Sequence, residues 1–298
     1  MDKINFFRGC WYFLCRYIFS FIPSQIFVRF VLFINHRRLG FTAYWLRFDP
    51  PKTFNEKINY LKFHDRSSLI PIVADKVSVR QYVSDIIGEK YLVPIIGIYN
   101  SVDDISFKDL PNQFALKPSH GCGGWNLICR NKKGINWNAE KKKLNTYMGK
   151  NSFYLSREWQ YNNKPKLICE NLLQYNITDF KFFCNYGDVK AIQVDINRFT
   201  NHKRKLYNLE WEELNIQIRY PQNDLKIEKS NKLEEMINIA NELSASFIFC
   251  RVDLYEYEDK IYFGEITLYP GGGTEPFSNY AQDLEFGKMF DITSSIVN

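Results

Sequence analysis

Histidine is scarce in this sequence, and its cysteines follow no pattern. Only four histidines occur (His36, His64, His120 and His202), and no two share a metal-ligand spacing, which argues against transition-metal chemistry. The seven cysteines, at 10, 15, 122, 129, 169, 184 and 250, form no Cys-x-x-Cys. Their odd number suggests neither a disulfide framework nor a zinc site and fits a reducing compartment. Internal repeats and low-complexity tracts are also missing. No apolar run approaches the ~20 residues needed to cross a bilayer. The two runs in the first 40 residues, 10–14 and 26–34, are interrupted by Arg16, Pro23 and Arg29, and no small-residue cleavage pattern follows, so a cleaved signal peptide is not expected.

What is present is a chain built to fold. The 298 residues allow two or three subdomains. A composition 45% hydrophobic and 17% aromatic, with 25 Phe and 19 Tyr, excludes disorder. The net charge of +6 is unevenly placed, because residues 1–40 hold Lys3, Arg8, Arg16, Arg29, Arg37 and Arg38 against Asp2 alone. Arginines among aromatics suit helices lying on an anionic membrane surface or on a partner. They equally suit helices that pack on the main body, and both readings stand. Nucleic acid is not expected, since the rest of the chain is nearly neutral and has no basic stripe interleaved with stacking aromatics.

A boundary falls near Pro50-Pro51, where ordinary soluble patterning begins. Thr53-Phe54-Asn55-Glu56 has the shape of a capping box opening a helix to about Phe63. A second helix is expected from Ala74-Asp75-Lys76 to Gly88, a third over 139–148 and a fourth over 232–245. Strands are expected over 91–98, 113–117, 126–129, 166–170, 180–186, 189–195, 247–257 and 260–268. Hairpins mixed with helices imply an α+β protein with antiparallel sheets and no doubly wound dinucleotide fold.

Two segments carry chemistry. Phe114-Ala115-Leu116-Lys117-Pro118-Ser119-His120-Gly121-Cys122-Gly123-Gly124 is a strand ending in lysine and running into a glycine-rich loop. Glycines let backbone N–H groups converge on phosphate oxygens while the lysine supplies charge. The P-loop spacing is not met, and a glycine-rich hairpin by itself is also simply a turn. In the second segment, a hairpin through Glu258-Asp259-Lys260 would set Asp253 opposite Glu265. Facing carboxylates repel unless a cation lies between them, and Mg²⁺ accepts such a pair together with phosphate oxygens. The other reading is an exposed hairpin with solvated acids. The apolar neighbours Val252, Leu254, Phe263 and Ile266 favour the metal.

The polar stretch with Asp195, Arg198, His202 and Arg204 offers arginines for a uronate, phosphate or amino-acid carboxylate, and a histidine as base for an amine. It reads equally as a solvated loop. Lys141-Lys142-Lys143 is expected to be surface.

Together the sequence resembles the TupA-like ATP-grasp family of surface-polysaccharide loci, over about residues 50–290. The carrying residues are Phe54-Asn55-Glu56-Lys57, Ala74-Asp75-Lys76, the Leu116–Gly124 segment, Glu158-Trp159-Gln160-Tyr161, Asp179-Phe180-Lys181-Phe182-Phe183, Gln193-Val194-Asp195, Arg198-Phe199-Thr200-Asn201-His202 and the 251–273 hairpin. The resemblance implies two α/β lobes clasping ATP behind a helical segment at 1–50 and a preceding region at 51–110. The small lobe is expected at 111–172 and the large lobe at 173–298. It implies that Lys76 and Lys117 touch the ATP phosphates and that His120, Gly121, Gly123 and Gly124 fold over them. Adenine would lie against the stretch from Glu170 to Leu173, with Asp179 on the ribose and Lys181 on a phosphate. Asp253 and Glu265 would bind Mg²⁺, and Arg251 would face the transferred phosphoryl group. Thr267 stands where the superfamily commonly has asparagine, which leaves its part in metal binding open.

The function so implied is an ATP-dependent carboxylate–amine ligase acting through an acyl phosphate. The expected carboxylate is a uronic or amino acid, the acceptor an amine, and the location the cytoplasm, at the membrane's inner face if residues 1–40 touch lipid. The competing readings are a glycosyltransferase or sugar-phosphate transferase, and a non-catalytic ATP-binding protein.

Overall fold

The structure, a computed structural model, describes residues 3–121, 125–161, 163–173, 177–196, 202–221 and 227–293. It opens with two helices, α1 (Lys3–Tyr17) and α2 (Ser24–Arg38), joined through a short turn at Phe19–Phe21 and Pro23. Their inner side buries Cys15, Phe27, Val28, Leu32 and His36. The Asn151 N–H donates to the Tyr12 hydroxyl at 2.9 Å, and Arg157 lies 3.9 Å over the Phe27 ring. One side of this pair therefore packs on the body.

α3 (Phe54–His64) starts at the expected capping box: Thr53 Oγ1 accepts from Glu56 N, and Glu56 accepts from Thr53 N. Glu56 also accepts from the N–H groups of Arg47 and Lys52. After α4 (Leu69–Ala74), helix α5 (Val79–Ile87) begins five residues later than its sequence suggests. The cause is Asp75, whose Oδ1 accepts from Val77 N at 2.9 Å and Ser78 N at 3.0 Å, an Asx turn that competes with helix. Lys76 is left in the turn before α5, its N–H donating to Ser119 O.

A four-stranded antiparallel sheet has the order β1 (Ile95–Tyr99), β4 (Leu167–Glu170), β2 (Phe114–Pro118), β3 (Leu127–Cys129). Its core of Phe114, Leu116, Leu127 and Leu167 is closed by Leu144 of α6 (Trp137–Met148), and the short α7 (Phe153–Ser156) follows. β1 brings chain from before residue 111 into this sheet.

The second sheet is five-stranded and antiparallel, in the order β7 (Lys203–Tyr207), β6 (Asp188–Ile196), β5 (Asp179–Asn185), β8 (Phe249–Tyr257), β9 (Lys260–Thr267). Side chains alternate across it. Phe182 stands in register with Ile192 and Val252, and Val252 with Ile266, on the apolar back; α8 (Leu233–Ser244) packs on this sheet and closes the core. The front carries Asp179, Lys181, Gln193, Asp195, Arg204, Arg251, Asp253, Glu265 and Thr267. At the other end of the front, Phe183 joins Phe54 of α3, Phe249, and Phe286 of α9 (Tyr280–Lys288) in an aromatic cluster. The basic run at 203–205 is a strand, which corrects its reading as a solvated loop. Arg204 and Lys205 are buried in it.

Candidate active site

The two acids meet because of one glycine. The β8–β9 hairpin turns through Glu258 and Asp259, both left-handed (φ 49° and 57°), and pairs Tyr257 with Lys260 and Leu254 with Phe263. Continued without interruption, that register would set Asp253 opposite Gly264. A bulge between Asp253 and Leu254 instead brings Glu265 opposite Asp253: the pairing is the expected one, but the expected turn through Lys260 is corrected, since Lys260 already belongs to β9 and the bulge supplies the shift. A Cβ on Gly264 would stand 2.9 Å from the Tyr255 ring and 3.0 Å from Asp253 O, so the extra residue has to lack one.

Cations surround the pair. Arg251 grips Asp253 with two bonds, Nε to Oδ1 at 2.7 Å and Nη2 to Oδ2 at 2.8 Å. Lys181 donates to Asp253 Oδ2 and lies 2.8 Å from Asp179 Oδ2. Thr267 is held between Arg251 Nη2 at 3.2 Å and Glu265 Oε1 at 3.1 Å. Burial pushes the Glu265 carboxyl up, but Lys76, Lys181 and Arg251 outweigh it and bring it down to about 2. Lys76, from the link before α5, thus contributes to the field at the acids, while its ammonium donates to Gly121 O.

Lys117 is placed differently. Its Nζ pairs with Glu170 Oε2 at 2.7 Å, and Arg80 holds the other oxygen at 2.9 Å. Among the described residues it makes no ion pair with Asp253 or Glu265. His120 is buried, with Nε2 2.7 Å from Lys150 O and its ring edge-on to Trp125; burial, and then the Lys76 charge, lower its pKa. A Cβ on Gly121 would lie 2.6 Å from the Trp125 ring. Leu173 lines a cavity of about 960 Å³ together with Leu172, Thr178, Phe180 and the tip of the β8–β9 hairpin. Gly123, Gly124 and Arg198 lie outside the described residues.

Toward β7 a second network follows. Arg204 pairs with Asp195 (Nε to Oδ1, 2.8 Å) and with Glu275 (Nη1 to Oε1, 3.2 Å). His202 Nε2 is 3.3 Å from Asp195 Oδ1, and its ring stacks on Tyr220. Burial would raise the Asp195 carboxyl, but His202 and Arg204 hold it far below the usual range. Arg204 therefore already has two carboxylate partners.

Glu275 was not singled out from sequence, and the turn before it entered only as the end of the 251–273 segment, with no role of its own. Gly271, Gly272 and Gly273 are all left-handed (φ 57°, 63° and 71°) directly after the acid-bearing strand. Two buried side chains of α3 pin this turn: Lys62 Nζ donates to Gly272 O at 2.6 Å and Asn59 Nδ2 to Gly273 O at 2.7 Å. The readable signal was Pro270-Gly271-Gly272-Gly273 itself, whose consecutive glycines permit that backbone.

Two carboxylates on neighbouring strands suit Mg²⁺, which takes one or two such ligands and completes its octahedron with phosphates and water. Asp253 and Glu265 fit that donor set. Among the described residues, no three His, Cys, Asp or Glu side chains cluster to hold a metal by themselves. The arrangement is a polar front on which Lys76, Lys181, Arg204 and Arg251 are interleaved with Asp179, Asp195, Asp253, Glu265 and Glu275, and it can take a polyanion that brings a hard cation.

A family model described as TupA-like ATPgrasp matches residues 56–291. None of the curated proteins matches the chain. Among solved structures, an L-amino acid ligase from Bacillus licheniformis is 12% identical, with 85% of this chain and 57% of that one covered and a TM-score of 0.46. A D-alanine–D-alanine ligase from Bacillus anthracis is 15% identical over 76% of this chain and 69% of its own, with a TM-score of 0.44. For N5-carboxyaminoimidazole synthetase from Staphylococcus aureus the identity is 16% and the TM-score 0.41; this chain, matched over 67% of its length, spans only 45% of that one.

Proposed function

This chain belongs to the TupA-like ATP-grasp family, and we propose that it is an ATP-dependent, ADP-forming carboxylate–amine ligase of surface-polysaccharide synthesis. The observation that carries the reading is the front of the five-stranded sheet, where Lys181, Arg251 and the reach of Lys76 converge on Asp253 and Glu265. Mg²⁺ held by those acids would neutralise part of the triphosphate charge.

The protein's share of the work is binding and electrostatics. A carboxylate oxygen of the substrate attacks the γ-phosphorus, the bond to ADP breaks, and an acyl phosphate forms. Charge on the transferred group is met by Arg251 and Lys181, which stand ready in a buried setting. An amine then displaces phosphate from the acyl carbon, giving an amide. Lys117 would exchange Glu170 for a phosphate oxygen as the small lobe closes, bringing the His120–Gly124 loop over the nucleotide and keeping water from the acyl phosphate. Asp179 would hold the ribose, and the stretch from Glu170 to Leu173 the adenine. Arg198 and His202 would meet the acceptor side, with His202 taking the amine proton. The carboxylate is a uronic or amino acid, and the reaction belongs in the cytoplasm, where ATP is supplied.

The test is ADP release across a panel of uronic and amino acids with mass spectrometry of the product. The wild-type protein should release ADP only with its own carboxylate. Lys117→Ala and Glu265→Ala should abolish release without unfolding the protein. Unchanged turnover in both variants would overturn the assignment.

A further inference from the structure

Going beyond the catalytic reading and independent of it, we propose that the outward side of α1, the Phe19–Phe21 turn and α2 is a docking surface for an anionic lipid bilayer. Whereas the inner side of this pair is packed on the body, the outer side leaves large apolar side chains in solvent. Phe21 is 87% exposed, Phe13, Phe30 and Phe33 are exposed too, and Trp45, in the link after α2, is 71% exposed. Large exposed apolar side chains concentrated on one pair of helices and the link after it mark an interaction site.

Charge selects the occupant. From Lys3 to Phe48 there is no acidic residue, while Lys3, Arg8, Arg16, Arg29, Arg37, Arg38 and Arg47 are basic. Arg37 and Arg38 are exposed at the end of α2, with Arg37 5.8 Å over the Phe33 ring. A second copy seated face to face would bring like charges together with no acid to separate them, so a symmetric dimer is disfavoured. An anionic bilayer satisfies both features, because aromatics enter the headgroup boundary and arginines meet lipid phosphates. Where α2 begins, a cavity of about 520 Å³ between it and the body adds Arg66; Lys62 and Arg157, also on its wall, are buried and donate to backbone carbonyls. None of these forms a salt bridge among the described residues. No helix of the structure is long and apolar enough to cross a membrane, and α1 and α2 have 15 residues each, so the pair would lie on the surface.

The test is flotation of the full-length protein with phosphatidylcholine vesicles, with and without phosphatidylglycerol. Binding should require phosphatidylglycerol and fall as salt rises. Phe13→Ser/Phe21→Ser/Phe33→Ser should weaken it at least tenfold. Arg37→Gln/Arg38→Gln, which alters only exposed side chains and keeps the test valid if the serine variant misfolds, should weaken it on the order of tenfold or more, since each surface charge is worth about fivefold. Both variants should keep wild-type circular dichroism and wild-type activity in solution. No flotation with phosphatidylglycerol, equal flotation with phosphatidylcholine alone, or wild-type self-association abolished by the serine variant would each overturn the proposal.

Discussion

Thr267 occupies the place where a metal-binding amide was expected, and its hydroxyl instead links Arg251 to Glu265. Thr267→Val keeps the shape and deletes both bonds. It should cost about 1 kcal/mol of stability in urea unfolding and raise the Mg²⁺ concentration needed for half-maximal ADP release. Asp283 gives a prediction in pH. It is buried between Tyr44, which donates to it, and Asn55, whose N–H donates at 3.0 Å. Burial outweighs these bonds and raises its pKa from 3.8 to about 6. The folded state therefore holds this proton more tightly than the unfolded chain does. The contribution is complete below about 4 and is lost as pH rises through about 6, on the order of 3 kcal/mol in all. Asp283→Asn should flatten that part of the stability–pH curve; a curve still falling between pH 4 and 6 in the variant would assign the effect to another group.

Among the elements, the β8–β9 hairpin and the α3 cap were readable from sequence because their determinants are local, namely alternating side chains and Thr53 three residues before Glu56, although the turn is one residue shorter than the expected Glu258-Asp259-Lys260 and the bulge at Gly264 was not foreseen. The start of α5 was less so, since Asp75 ends one structure and begins the next through its own side chain. β7 was missed because Lys203-Arg204-Lys205 looks solvated until Asp195 and Glu275, the latter 71 residues away, are brought beside Arg204. The pairing of Lys117 with Glu170 likewise needed β2 and β4 to be neighbours, which no local pattern states. Gly264→Val should force the bulge to move and pull Glu265 out of register, lowering ADP release by at least tenfold together with the melting temperature. Thr53→Ala removes one half of the capping box and should cost about 1 kcal/mol, or roughly 2–4 °C in the melting temperature, with activity retained.

For the whole molecule, the site is assembled from distant stretches of chain: Lys76 before α5, Lys181 on β5, Arg251 and Asp253 on β8, and Glu265 on β9. A ligand that engages all of them should stabilise the fold globally. With the Mg²⁺–ATP complex at about 100 times its dissociation constant, linkage gives about 2.7 kcal/mol, readable as a rise in melting temperature that Glu265→Ala should lose. The double clasp of Arg251 and Lys181 on Asp253 has a further consequence for the order of events. Because both carboxylate oxygens are already occupied by partners of opposite sign, a bare divalent ion arriving alone would have to displace an ammonium and a guanidinium from them. Once a triphosphate offers those groups new anions, Asp253 is released. Magnesium should therefore enter as a passenger of the nucleotide, and magnesium chloride without ATP should leave the melting curve where it was.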